Sequence, residues 1–149
     1  MNLFIVILIL LSFLEGTIIP FDLVLMILIA RSFIVAEKSN YYLAFCFGLL
    51  VSLLLGYPLG LYSLIYLFAV AISHIIKTTN LKAYWIVVLP LTFSLLLFEQ
   101  AILKLLNISN FNLSLLLVPT ILMLPVYFIV RVWEERFIVA KDIKLKMGK

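Results

Sequence analysis

The stretch YYLAFCFGLLVSLLLGYPLGLYSLIYLFAVAISHII, Tyr41 to Ile76, holds two long apolar runs parted only by Gly56-Tyr57-Pro58. A membrane-spanning helix needs roughly 20 mostly apolar residues, and glycine with proline enforces a tight reversal. The stretch therefore reads as two antiparallel helices, Tyr41–Leu55 and Leu59–Ile76. Working outward, the same pattern gives Asn2–Thr17 and Phe21–Val35 before them, and Ala83–Phe98 and Leu113–Val132 after them. The breaks are polar or turn-forming: Glu15-Gly16 with Pro20, Glu37-Lys38-Ser39-Asn40, Lys77-Thr78-Thr79-Asn80, and Asn107 to Asn112. Connections this short make consecutive helices antiparallel neighbours. The expected fold is an all-α membrane protein: a six-transmembrane-helix bundle over residues 1–132, followed by a basic cytoplasmic tail, 133–149.

Composition agrees. Of 149 residues, 66% are apolar and 12% charged, with a mean hydropathy of +1.31. A soluble domain of this size needs more polar surface than that. Met1 to Leu14 has no basic residue before it and no small-residue cleavage pattern after it, so it reads as a first helix kept in the mature protein rather than a signal peptide.

Lys and Arg set the orientation. With the N-terminus inside, Arg31, Lys38, Lys77, Lys82 and the six basic residues from Arg131 to Lys149 fall on the cytoplasmic side, leaving Lys104 outside. Ten of eleven positive charges then share one face. Tyr41, Tyr42, Tyr84, Trp85 and Trp133 fall at the same ends, the depth that Tyr and Trp favour. Anionic lipid headgroups account for the net charge of +4 without nucleic acid. The tail mixes Arg136, Lys141, Lys144, Lys146 and Lys149 with Phe137, Ile138, Ile143 and Leu145, which reads as a helix lying on the inner leaflet.

Few residues offer chemistry. The single cysteine, Cys46, reads as a packing residue, and the single histidine, His74, as an interfacial one. No metal-ligand spacing, phosphate-cradling glycine loop, HExxH or GxSxG is present. The expectation is a non-enzymatic protein with no catalytic residues, metal or cofactor. Gly48, Ser52 and Gly56 are each four apart and share one helix face. Small residues there let another helix approach closely, either within the bundle or from a partner. Asp22, just after Pro20, suits the cap of the second helix. Glu15 and Glu99 read as wet residues near the outer surface, and with Asp22 they form a candidate outer-face polar site. Pro90, Pro119 and Pro125 fall inside the last two helices.

The segment from Gly48 through Pro58-Leu59-Gly60 to Leu64 resembles the most characteristic part of the MreD family of rod shape-determining membrane proteins. That family shows a glycine-led apolar helix, a Pro-Leu-Gly turn and a second apolar helix. Pro20 and Asp22 resemble its Pro-Asp opening of the second helix, with Phe21 between them, and Pro125 to Arg136 resembles its C-terminus. One departure is Ser52, where the family usually carries an aspartate. The resemblance implies a fold similar to the substrate-binding subunits of energy-coupling-factor transporters. It also implies a scaffold role in the bacterial cytoplasmic (inner) membrane. The implied partners are membrane lipids and an MreC-like protein, and through it a RodA-type glycosyltransferase and a class B penicillin-binding protein. Gly48, Ser52 and Gly56, with the turn at Pro58 and Gly60, are then the candidate partner-binding residues. The alternative is a substrate-binding membrane subunit of a vitamin-type transporter, which needs a polar-lined cavity. A more distant one is an intramembrane enzyme, which needs paired acids or an acid–histidine pair at one depth.

Overall fold

The computed structural model describes residues 2–17, 21–35, 37–78, 85–108 and 112–147, with only the backbone described at 2, 3, 16, 85 and 137–147. Pro20, Lys82, Tyr84 and Lys149 lie outside the described residues, as do the side chains of Trp85, Lys141, Lys144 and Lys146. The described residues form six helices: α1 Asn2–Thr17, α2 Leu23–Ile34, α3 Ser39–Leu54, α4 Leu61–Thr78, α5 Trp85–Leu105 and α6 Ser114–Met147. Three stretches are long and apolar enough to cross a membrane: Leu61–Thr78, Ile86–Leu105 and Ser114–Arg136. The other three helices are apolar but shorter. At 1.5 Å per residue, the 12 residues of α2 rise about 18 Å, well short of a hydrocarbon core of about 30 Å.

The boundaries have local causes. Asp22 caps α2, its side chain accepting from the Leu25 N–H at 2.8 Å. Gly60, at φ +95°, ends the turn before α4 in a conformation that side-chain-bearing residues avoid. Two expectations need correcting here. Helix α5 does not stop at Phe98 but runs to Leu105, taking Glu99 into the helix. The boundary expected between 132 and 133 falls inside a helix, because α6 is continuous from Ser114 to Met147. Its 34 residues contain Pro119 and Pro125.

Helix α2 is the axle of the bundle. Nine of its twelve residues are buried, from Val24 to Phe33, and all five other helices pack on it. Each outer helix turns one stripe inward: Phe4, Leu8, Ser12 and Glu15 on α1, Val88, Thr92, Leu95 and Glu99 on α5, and Leu116, Met123, Tyr127 and Val130 on α6. These spacings of three, four and seven are single helix faces. The outward faces are also apolar, with Leu10, Leu64, Leu105 and Ile121 fully exposed. Glu15, Asp22, Arg31 and Glu99, by contrast, are buried. Ionisable groups inside and leucine outside is the arrangement of a membrane protein.

Three of the buried hydroxyls are paired within their own helices. Ser12, Ser73 and Thr92 each donate to the carbonyl four residues earlier, which keeps a polar atom paired inside an apolar helix.

Candidate functional site

Four helices bring polar groups to one end of the bundle. Glu15 sits in the last turn of α1, and its Oε2 accepts from the Val24 N–H at 3.4 Å. Asp22 Oδ1 accepts both from Leu25 N–H and, at 2.6 Å, from the phenol of Tyr66 on α4. Glu99 comes from the later turns of α5, on that helix's inward stripe. All three carboxyls are buried, with 8%, 7% and 6% of Glu15, Asp22 and Glu99 exposed. The expectation that Glu15 and Glu99 are wet is therefore wrong. Each lies on the inward stripe of its helix, so helix packing rather than chain position decides its surroundings.

No ion pair reaches these acids among the described residues. Asp22 Oδ2 has no hydrogen-bond donor among the described residues. Tyr62 and Tyr66 meet edge to face 5.8 Å apart beside them, and Tyr57 stacks on Tyr62. Among the described residues no group of His, Cys, Asp and Glu is arranged to hold a metal ion. The chemistry on offer is hydrogen bonding and proton exchange among three acids and a phenol, or attraction for a cationic group.

Of the two uses expected of the small-residue face, Gly48 and Ser52 serve packing within the bundle rather than a partner. A Cβ placed on Gly48 would lie 2.5 Å from Ser63 Cα and 2.6 Å from Ser63 N, so α4 rests directly on the glycine. Ser52 is fully buried, its Oγ accepting from the Tyr62 N–H at 3.2 Å. Ser63 Oγ returns a bond to the Phe45 carbonyl at 3.0 Å. Gly48 and Ser52 are thus covered by this chain's own α4 and are not open to a partner. Gly56 stands apart, with φ +70° and open space around it. It belongs with exposed Pro58 and Leu59 in the turn.

The opposite end is organised by Arg31, which is only 5% exposed although its position in the chain suggested an interfacial charge. Its Nε donates to Glu134 Oε1 of α6 at 2.8 Å and its Nη1 to Asn40 Oδ1 of α3 at 3.0 Å. Asn40 Nδ2 donates to the Val35 carbonyl at 2.7 Å. The guanidinium also sits 4.8 Å from the ring centre of Phe4 on α1. Lys77 Nζ donates to the Ile34 carbonyl nearby. An arginine inside an otherwise apolar run was the available signal for this cluster; nothing in the sequence named Glu134 as its partner. His74 packs against Tyr41, ring centres 5.9 Å apart. Cys46, read as a packing residue, is exposed.

No family model, curated protein or solved structure matches this chain. Its class rests on its own features, a helical membrane protein with one acidic and one arginine-centred pole.

Proposed function

We propose that this chain is a non-enzymatic scaffold of the bacterial cell-wall elongation complex, embedded in the cytoplasmic membrane through all six helices. The observation that carries the reading is the α3–α4 hairpin. The residues that give the resemblance to the MreD family each have a structural task there: Gly48 admits the Ser63 backbone and Gly60 takes a positive φ. Ser52, in place of the family's usual aspartate, ties the hairpin through the Tyr62 N–H.

Charge supports cytoplasmic termini. Of the six basic residues with described side chains, Arg31, Lys38, Lys77, Arg131 and Arg136 lie toward the arginine pole, and Lys104 toward the acidic one. Since Gly48 and Ser52 are covered, the partner surface falls on the exposed turn from Gly56 through Pro58 to Gly60.

The test is affinity purification of the tagged chain from its native membrane in nanodiscs, with mass spectrometry of what accompanies it. Recovery of an MreC-like protein with wall synthases is the expected result. Leu59→Glu in the turn should lower that recovery and leave the chain monodisperse. Unchanged recovery would remove the turn from the interface, and absence of wall synthases from wild type would sink the scaffold.

The buried acids favour one alternative, a substrate-binding subunit of a small-molecule transporter. On that reading an ATPase pair and a coupling subunit co-purify, and a bound small molecule is lost from Glu99→Gln.

A further inference from the structure

We propose that the groove between α1 and α3 holds one acyl chain of an anionic phospholipid, with the lipid phosphate beside Lys38. The groove encloses about 410 Å³. Its floor and walls are Ile5 and Ile9 of α1 and Leu43, Cys46, Phe47 and Leu50 of α3, all apolar. Its two hydroxyl-bearing lining residues, Ser39 and Tyr42, both belong to the first turn of α3.

Three features select this occupant. The first is length. From Ser39 to Leu50 the helix rises about 16 Å, close to half of the roughly 30 Å hydrocarbon core, the depth that one leaflet's acyl chains fill. The second is direction. Phe4 and Asn40 both meet Arg31, so α1 and α3 run parallel and the polar mouth opens at the arginine pole.

The third is charge at that mouth. The nearby acid, Glu37, accepts from Ser39 Oγ at 3.1 Å and lies 4.0 Å from Arg31 Nη2. Arg31 in turn is committed to Glu134 and Asn40. Lys38 is exposed and makes no ion pair among the described residues. The Tyr42 ring is exposed beside it. A cation and a phenol above an apolar slot fit a phosphate above a hydrocarbon chain. A partner's apolar helix would leave Lys38 without a counter-charge.

The site is tested by native mass spectrometry of the full chain from nanodiscs of mixed phosphatidylcholine and phosphatidylglycerol. Wild type should retain one phosphatidylglycerol in preference to phosphatidylcholine. Lys38→Gln should lower that preference about fivefold, the effect of one basic residue near an anionic surface. Cys46→Trp, which fills the slot from its exposed side, should abolish retention of either lipid, while Lys104→Gln at the other pole changes nothing. Equal retention of the two lipids by wild type, or undiminished retention by Cys46→Trp, overturns the proposal. So does a protein rather than a lipid crosslinked to Cys46 in the native membrane.

Discussion

The two ends of the bundle bury charge in opposite ways. At the arginine pole, one cation is surrounded: Glu134, Asn40, Glu37 and the Phe4 ring reach Arg31 from α6, α3, the α2–α3 connection and α1. At the acidic pole, Glu15 and Asp22 have a phenol and backbone N–H groups as partners, Glu99 is buried as well, and among the described residues no cation pairs with any of them. A buried charge with good partners holds elements in register, and removing one partner is costly. A buried acid without a counter-charge gains nothing from ion pairing, and what it contributes comes through its hydrogen bonds. The arginine pole is thus held by ion pairing between helices, the acidic one by the α2 cap and the Tyr66 phenol.

The largest expected effect tests the architectural side. Arg31→Met should destabilise the protein in thermal or denaturant unfolding by about 3 kcal/mol or more, since Glu134 stays mostly buried without its partner. The double variant Arg31→Met/Glu134→Gln should recover part of that loss, and strict additivity would mean the pair is not coupled. Gly48→Leu should cost about 3 kcal/mol by forcing α4 off α3. Gly56→Ala has room for its methyl group and meets only the positive φ, so its cost should be about 1 kcal/mol.

At the acidic pole, Asp22→Ala removes the α2 cap and strands the Tyr66 hydroxyl, an expected loss of about 2 kcal/mol. Asp22→Asn keeps the acceptor and should lose under about 1 kcal/mol. The smallest effect is expected for Glu99→Gln, within about 1 kcal/mol of wild type in either direction, because among the described residues Glu99 makes no ion pair to lose. A loss there as large as that of Arg31→Met would erase the distinction between the poles.

The lengths of chain that become helix were legible because their causes are local. Apolar runs, Asp22 as a cap and the glycine-proline turn mark α1 to α4 to within a few residues of where they lie. The α3–α4 hairpin was legible as a small-residue face and a turn, though not as to which helix would cover the face. The acids were legible only as a set that could converge. Their burial follows from Glu15 and Glu99 lying on stripes that pack against the axle helix.

The sequence by itself determined an all-helical chain for which lipid is the natural solvent, where its turns fall, and at which end its positive charge gathers. It could not say which faces point inward. In soluble proteins the polar face of a helix marks the outside, but here Leu10, Leu64 and Ile121 are exposed while Leu8, Leu25 and Met123 are buried, and both sets are apolar. Only the tertiary structure decided that α4 would seat on Gly48 and that Arg31 would find Glu134 across 103 residues of chain. Where every surface of a helix is apolar, shape and the few buried polar groups choose the neighbours, and those choices are made between helices rather than along the chain.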